Sequence, residues 1–242
     1  TNRELGRMFN KLTKQAKSGK LKGLVLDMRR NSGGLLQQGI HVADRFLTKG
    51  PIVSVKSRGE PDEVHRATAR DTWDVPLVVL VDYGAASASE IVASALQDNG
   101  RALVVGGRTF GKASVQTLFT PLLRDDYYIK LTVARYYSPS GRTLQVVGVK
   151  PDIQVPPDVD GEMPLGFREE DLSHHLAALN KNYKSANEDW AERTVQCADK
   201  ARKAEKAYES NPNPAVKFDY QMMRGADLLT CMQTGARAAH GK

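Results

Sequence analysis

Three observations along the chain predict an α/β fold with a parallel sheet. Residues 76–81 form a continuous apolar run of strand length, which is typical of a central strand covered on both faces. Residues 87–99 have the pattern of a helix, and residues 102–106 form a second apolar strand. Strand, helix and strand in this order indicate a parallel crossover unit. From residue 156 onward the sequence becomes polar and helical, which predicts a helical tail behind this core.

Further segments on both sides of this unit extend the α/β body. Before it, apolar spacing predicts a helix, a strand, a helix and a strand, at residues 5–16, 23–27, 35–47 and 52–55. The polar stretch 57–74 predicts an exposed loop or a segment that faces a partner. After the unit, β-branched and aromatic residues predict an added β subsection, at residues 114–119, 127–137 and 152–155. The predicted catalytic core therefore spans residues 1–156.

The rest of the chain is predicted as two further segments. Residues 157–180 begin with prolines and glycines, which favours a linker with a short helix. Residues 181–242 predict a helical hairpin. Its first helix has apolar positions at alternating steps of four and three over 190–208, typical of a seam against one partner helix. A proline-containing break at 211–214 precedes a returning helix at 216–237.

The only two cysteines, Cys197 and Cys231, fall in the two helices of that hairpin. A bridge between them would stabilise the fold by roughly 3 to 4 kcal/mol in the chain-entropy model, and it requires an oxidising compartment. Two reduced, buried cysteines are the alternative. Neither cysteine belongs to a CxxC pattern, and the paired His174-His175 has no further ligand nearby, so no metal site is predicted.

Composition excludes several classes of protein. The chain has 242 residues, 26% of them charged, and a formal net charge of +7, which rules out a disordered or collagen-like chain. No apolar run reaches the roughly 18 to 20 residues that a membrane span needs. The positive charge permits a nucleic-acid partner, but no motif supports one, so none is predicted. Because the chain begins with Thr1 and lacks a signal pattern, it is expected to be a fragment or a processed product.

The segment 84–90 joins the predicted central strand to the following helix and contains a candidate nucleophile, Ser87. The next amide, that of Ala88, would lie in the first helical turn, where unpaired N–H groups favour negative charge. This arrangement suits a nucleophile beside an oxyanion hole. The alternative is structural, because Ser87 and Glu90 also fit a capping box in which the serine merely caps the helix.

A candidate general base, Lys112, follows the second apolar strand. If residues 114–119 form a strand, alternation places Lys112, Ser114 and Gln116 on one face. Lysine acts as a base near neutral pH only when its pKa falls by roughly 3 units, about 4 kcal/mol of destabilised charge. Gln116 would then orient the amine, and serine with a neutral lysine is a known route to acyl transfer. A solvated surface lysine and a polar strand residue are the alternatives.

The loop before Lys112 also nearly matches a phosphate-binding loop. Gly106 is followed after four residues by Gly111 and Lys112, which is the spacing used for nucleotide phosphates. Position 113 is alanine, however, so the hydroxyl that would hold magnesium is absent. The following residues also predict a strand where that motif requires a helix. A nucleotide-binding protein is therefore the disfavoured alternative.

Five motifs in order along the chain resemble those of the carboxyl-terminal processing peptidases, also called tail-specific serine proteases. They are DMRRNSGG at 27–34, SASEI at 87–91, TFGK with VQ at 109–116, ARYYSPSGR at 134–142 and KPDI at 150–153. The resemblance covers residues 1–156. Four or more ordered motifs with family-like spacing are far more specific than any one of them.

The resemblance implies a role for each matched residue. Ser87 would be the nucleophile, and Lys112, 25 positions later, would be the general base. Gln116 would position the lysine. The N–H groups of Gly33 and Ala88 would form the oxyanion hole. The resemblance also implies a crotonase-like or Clp-like arrangement and a reaction that needs neither a metal nor an organic cofactor.

The implied function is a serine endopeptidase that cleaves protein or peptide substrates near the C-terminus through an acyl-enzyme. The implied location is the periplasm of a bacterial envelope, and an adaptor lipoprotein and self-association are further expectations. The PDZ domain that usually precedes the core, and the first part of the core, are expected to be missing from this sequence. Ala113 replaces a common glycine after the base. The alternative within the family is a non-catalytic peptide-binding or scaffold relative.

Overall fold

A computed structural model defines the helices and strands over most of the chain. The described residues are 2–16, 21–120, 128–158, 161–178, 183, 185–201, 206 and 219–233. The helices are α1 (Asn2–Gln15), α2 (Leu36–Asp44), α3 (Ala88–Asp98), α4 (Glu188–Ala201) and α5 (Tyr220–Gln233). The strands are β1 (Leu24–Asp27), β2 (Pro51–Ser57), β3 (Glu63–Arg66), β4 (Leu77–Val81), β5 (Leu103–Gly106), β6 (Ser114–Phe119), β7 (Ile129–Tyr137) and β8 (Ile153–Gln154). None of the helices in these ranges is long and apolar enough to cross a membrane.

A four-stranded parallel sheet, in the order β1-β4-β5-β8, forms the centre of the fold. The predicted crossover unit is confirmed, since β4, α3 and β5 follow one another and β4 pairs with β5 in parallel. Every residue of β4 is buried because both faces of the sheet are covered. Alternation along β4 sends Leu77 and Val79 into one apolar core and Val78 and Leu80 into a second.

The first core lies between the sheet and the helices α2 and α3. Ile91 and Leu96 of α3 are fully buried there. Trp73, from the segment between β3 and β4, belongs to the same core and stacks on Phe9 of α1, with ring centroids 3.8 Å apart. The edge of Phe46 meets the same indole at 5.4 Å. These aromatic contacts hold α1 against the body of the domain.

The second core lies on the other face of the sheet and is closed by the helical tail. Trp190 of α4 and Leu228 and Met232 of α5 are buried in it together with the inner strands. A disulfide joins Cys197 to Cys231, with Cα atoms 5.9 Å apart. Of the two alternatives, a bridge or two reduced cysteines, the structure therefore contains the bridge. The predicted helix break at 211–214 lies outside the described residues. The division into segments 1–156, 157–180 and 181–242 stays a prediction.

A second sheet, in the order β3-β2-β7-β6, is antiparallel throughout and forms the predicted β subsection. The expectation of a loop over 57–74 is wrong in part, because β3 pairs with β2 there. Three residues of β3 are exposed, and only Val64 is apolar. An edge strand of this kind is held by backbone hydrogen bonds, which a hydrophobicity pattern does not reveal.

Candidate active site

Ser87 lies at a sharp turn between the end of β4 and the first residue of α3. Its backbone has φ +57° and ψ −120°, a conformation that a residue with a side chain seldom adopts. Such backbone strain persists only when the surroundings enforce it, and it is concentrated at functional sites. The turn sits at the carboxyl end of a central parallel strand, where ligands of parallel sheets commonly bind. The structure contains the capping box of the alternative interpretation, and the strained backbone of Ser87 distinguishes this turn from an ordinary helix cap. The nucleophile stays a prediction.

A buried carboxylate, that of Glu90, connects the nucleophile turn to the loop of the predicted base. Its Oε2 accepts hydrogen bonds from the backbone N–H groups of Ser87 and Lys112, each at 2.9 Å. Its Oε1 accepts from the Thr109 hydroxyl at 2.6 Å and from the Gly111 N–H at 2.7 Å. Burial raises the pKa of Glu90 to about 7, although these four hydrogen bonds oppose the shift. The capping-box residue of the sequence thus also connects the turn of Ser87 to the loop of Lys112.

Lys112 is half-buried at the start of β6. Its Nζ donates hydrogen bonds to Ser114, 3.2 Å to the hydroxyl and 3.3 Å to the carbonyl oxygen. Loss of hydration lowers the pKa of Lys112, and the positive charge of Lys130 adds to this effect, while Glu169 and Glu90 oppose it. A lowered pKa is the property that a lysine general base requires.

Gln116, the predicted orienting residue, is set apart from the lysine. A register shift interrupts the pairing of β6 with β7 between Val115 and Gln116, which breaks the simple alternation that would align Lys112 with Gln116. The Gln116 side chain is exposed and makes no hydrogen bond within the described ranges. Its role stays a prediction. A different glutamine, Gln145, is buried behind the base loop, where it accepts from the Ala113 N–H at 2.9 Å.

Tyr136 is a member of this cluster that the sequence interpretation did not single out. Its buried phenol donates a hydrogen bond to the backbone carbonyl of Lys112 and lies within hydrogen-bonding reach of the Ser87 side chain. Burial, followed by the negative charge of Glu90, raises the pKa of Tyr136 well above its ordinary value. The phenol is therefore a neutral hydrogen-bond donor at physiological pH. Its place within the ARYYSPSGR motif was the only available signal.

The two predicted oxyanion donors lie beside the nucleophile. Gly33 has φ +95°, and a Cβ on it would come within 2.6 Å of the Ala86 carbonyl oxygen and 2.7 Å of the Ala88 nitrogen. Only glycine permits this approach. The Ala88 N–H has no acceptor within the described part of the chain, whereas the Gly33 N–H donates to Asn31 Oδ1 at 3.0 Å. The Ala88 N–H is thus open, and the Gly33 N–H has an internal acceptor.

A cavity of about 980 Å³ opens along these donors. Gly33 and Ala88 form part of its wall, Leu35 and Val42 add apolar surface, and Arg3 of α1 also lines it. A volume of this size accommodates several residues of an extended peptide. Gly33 and Ala88 thus line the cavity, whereas Ser87 adjoins Gly33 but is not among the lining residues.

Ser87 and Lys112 are joined indirectly, through Glu90 and Tyr136. The residues after Lys112 form β6 rather than a helix, so the phosphate-loop alternative lacks the helix N-terminus that would bind phosphate. A serine in a strained turn and a desolvated lysine in the adjoining loop are groups that acyl transfer uses.

The chain is similar to several known proteins. A carboxy-terminal-processing protease of Bartonella bacilliformis is 39% identical over 211 residues, which are 85% of this chain and 45% of that protein. A carboxyl-terminal-processing protease of Picosynechococcus is 42% identical over 174 residues, 72% of this chain and 40% of that protein. The solved structure of a photosystem II D1 C-terminal processing protease matches with a TM-score of 0.58 and 39% identity. That match covers 65% of this chain and 40% of the other.

This chain therefore spans less than half the length of these relatives. The family model described as Peptidase family S41 matches residues 1–155, a stretch that contains Ser87, Lys112 and both oxyanion donors. Because this match covers well over half of the 242 residues, the chain belongs to peptidase family S41.

Proposed function

We propose that this chain carries the catalytic core of a serine endopeptidase that cleaves protein substrates near their C-terminus. The observation that carries the proposal is the strained turn at Ser87, which is flanked by Gly33 and Ala88 and braced to the loop of Lys112 by Glu90. The names of the relatives, which are proteases of carboxyl-terminal processing, support the substrate class.

The first chemical step forms an acyl-enzyme. Neutral Lys112 Nζ takes the proton of the Ser87 hydroxyl as its oxygen attacks the carbonyl carbon of the scissile peptide bond. The N–H groups of Gly33 and Ala88 stabilise the negative oxygen of the tetrahedral intermediate. The intermediate then collapses, the C–N bond breaks, and the Lys112 ammonium returns its proton to the leaving amine.

The second step restores the enzyme. Lys112 Nζ takes a proton from water, and the resulting hydroxide attacks the ester carbonyl of the acyl-enzyme. The C–O bond to Ser87 breaks as the lysine returns the proton to the serine oxygen. A lysine serves both steps only if it begins each of them neutral, which is why its lowered pKa supports the proposal.

Turnover of β-casein, an unfolded protein, tests this function. Ser87→Ala and Lys112→Ala are expected to lower the cleavage rate at least about a thousand-fold, because each removes a group that takes part in bond making. Ser57→Ala and the exposed Lys49→Ala are matched controls that lie outside the site and are expected to leave the rate unchanged. Equal cleavage by wild type and Ser87→Ala, with folding intact, would reject the nucleophile.

A non-catalytic peptide-binding protein is the second candidate. Three hydrogen bonds favour it, since the Gly33 N–H donates to Asn31 and the Lys112 amine donates twice to Ser114. In this alternative the large cavity holds a peptide, and no bond is broken. Wild-type protein would then bind a labelled peptide, and mass spectrometry would recover that peptide uncut after prolonged incubation.

We further propose that the protein works in the envelope of a bacterium, in its periplasm, and that an adaptor lipoprotein or a second copy assists it. The relatives come from bacteria and chloroplasts, and these origins support a processing role within a cellular compartment. A Cys197–Cys231 bridge is consistent with an oxidising compartment. Cell fractionation of the source bacterium with an antibody to this chain tests the location.

A further inference from the structure

A second cavity, of about 610 Å³, lies at the carboxyl ends of the parallel strands. Arg30 lines it just beyond β1, Tyr83 just beyond β4, and Arg108 just beyond β5. Arg168 and Met163, from the segment after β8, close one side. The catalytic cavity described above shares only Asp27 with it. Its location at the strand ends is one where parallel sheets commonly bind ligands.

Arg30 and Arg168 have guanidinium donors without an acceptor among the described residues, whereas Arg108 also donates to the Val147 and Val146 carbonyl oxygens, each at 2.6 Å. Nη1 of Arg108 and Nη1 of Arg168 share one carboxylate oxygen of Glu170, at 3.4 Å and 3.8 Å. The Nε of Arg168 is buried without an acceptor in the described part of the chain. The exposed guanidinium of Arg30 likewise has no acceptor among the described residues. Burial, and then the charge of Arg108, lower the pKa of Arg168, as expected for neighbouring cations that lack enough counter-charge.

The acidic groups of the cavity already have partners. Asp27 and Asp219 bind the Arg29 guanidinium, at 2.7 Å and 2.6 Å. Asp82 accepts two backbone N–H groups, one of them from Arg30 at 2.8 Å. These carboxylates would repel a dianion such as phosphate more strongly than a monoanion. The open donors therefore suit a carboxylate, whose planar geometry also matches a guanidinium.

The cavity also has apolar surface, which Tyr83, Met163, Pro157 and Pro164 contribute. A ligand that combines an apolar side chain with a carboxylate matches both the apolar surface and the guanidinium groups. The terminal residue of a peptide has this combination, and so does an acidic side chain beside an apolar one.

The cavity is also built on the loops that carry the catalytic groups. Tyr83 precedes Ser87 by four residues, and Arg108 precedes Lys112 by four. Gly84 packs so close to Arg30 that a Cβ on the glycine would lie 2.9 Å from the Arg30 Cα. A peptide end held here lies next to the segments that lead into the catalytic site.

We propose that this arginine-lined cavity is a carboxylate-binding subsite for a peptide, with Arg30 and Arg168 as its principal donors. The inference deepens the proposed peptidase function and rests on it for the identity of the ligand as a peptide. The carboxylate comes either from the C-terminus or from an aspartate or glutamate side chain.

Fluorescence anisotropy on the Ser87→Ala chain, which leaves peptides uncut, tests the subsite. Three fluorescein-labelled hexapeptides are compared: one with a free C-terminal leucine, its C-terminal amide, and an amide that ends in glutamate. The free acid is expected to bind at least about tenfold more tightly than the leucine amide, because only the acid accepts paired guanidinium hydrogen bonds. Tight binding of the glutamate amide would assign the carboxylate to a side chain, and weak binding would assign it to the C-terminus.

Introducing Arg30→Gln and Arg168→Gln into the Ser87→Ala chain is expected to remove the difference in affinity between the free acid and the leucine amide. Arg58→Gln, at an exposed arginine in the turn after β2, is the charge-matched control, and thermal unfolding verifies that each variant is folded. Equal affinity for acid and amide in the Ser87→Ala chain would overturn the subsite. Cleavage of β-casein by wild type is read separately. If cleavage fails while carboxylate-dependent binding persists, the proposed function is lost and the subsite stands.

Discussion

Glu90 shows how one residue couples the parts of the candidate site. Its carboxylate is fully buried and receives hydrogen bonds from the nucleophile turn and from the base loop. Burial raises its pKa from an ordinary 4.5 to about 7, so the folded protein binds this proton more tightly than the unfolded chain does. The resulting stabilisation is fully present below the unfolded pKa and is lost as the pH rises through about 7.

Comparison of wild type with Glu90→Gln across pH tests this linkage. Glutamine does not titrate, so the difference in unfolding free energy between the two proteins isolates the Glu90 proton. The stability of wild type relative to the variant is expected to fall by about 3 kcal/mol between pH 4.5 and pH 7. Urea unfolding at each pH measures it, with exposed Glu60→Gln as the control. A difference that does not change with pH would contradict the buried titration.

The pH dependence of cleavage tests Lys112. Because the reaction needs the neutral amine, the rate is expected to rise with pH through a pKa below the ordinary 10.5 of lysine. Lys130→Gln removes the like charge that helps to lower this pKa, so the rising limb is expected to move to higher pH. Lys49→Gln is the control. A limb that stays in place in Lys130→Gln would show that the two amines do not interact.

Among the structural elements, the link from β4 to α3 and the loop after β1 depend on each other. Asn31 accepts hydrogen bonds at its backbone carbonyl from the Ala86 N–H at 3.0 Å and from the Ser89 hydroxyl at 2.8 Å. This pairing presses Gly33 against Ser87 and Ala88. The predicted oxyanion donors, Gly33 and Ala88, are therefore positioned by contact between two strand-end loops rather than by either loop alone.

Gly33→Ala tests that contact. The new methyl group would collide with backbone atoms of the turn and would sit at φ +95°, so both stability and cleavage are expected to fall. Gly34→Ala is the matched control, because Gly34 also has positive φ but has open space around it. We expect Gly34→Ala to cost about 1 to 3 kcal/mol of stability, and Gly33→Ala clearly more. Equal losses in the two variants, measured by urea unfolding, would argue against the close approach.

The helical hairpin offers a test of its disulfide. Cys197 and Cys231 are separated by 34 residues, so replacing both with serine is expected to lower the unfolding free energy by about 4 kcal/mol. Denaturant unfolding under oxidising conditions gives this value. Addition of a reductant is expected to lower the stability of wild type toward that of the variant and to leave the variant unchanged. A variant as stable as oxidised wild type would mean that the bridge is dispensable.

Apolar runs and residue spacing in the sequence were sufficient to predict much of the fold. The β4–α3–β5 unit and the serine turn follow from apolar runs and spacing alone. Glu90 was predicted only as a helix cap, because spacing cannot show that a carboxylate is buried against a loop twenty residues later. The position of Tyr136 and the presence of β3 could not be predicted, because each depends on pairing between distant segments. The placement of Gln116 relative to Lys112 depends on a register shift in β6, which simple alternation does not predict.

At the scale of the whole molecule, one parallel sheet separates two apolar cores, and the tail helices are an integral cover for the second. Arg29 adds a polar connection, since it joins Asp27 at the end of β1 to Asp219 just before α5. The sequence has a net charge of +7 but contains no motif that indicates nucleic-acid binding. Instead, four arginines gather at the strand ends, close to the loops of Ser87 and Lys112. The tail, the sheet and the candidate site thus form one connected structure.

The central claim is that Ser87 is a nucleophile activated by Lys112. Peptide-mapping mass spectrometry after reaction with a fluorophosphonate, which labels activated serines, tests it most directly. We predict a single adduct on Ser87 in wild type, formed faster as the pH rises, and at least about a hundred-fold slower labelling in a folded Lys112→Ala variant. Labelling of another residue, or equal labelling of Ser87 in the wild-type and Lys112→Ala proteins, would contradict the claim.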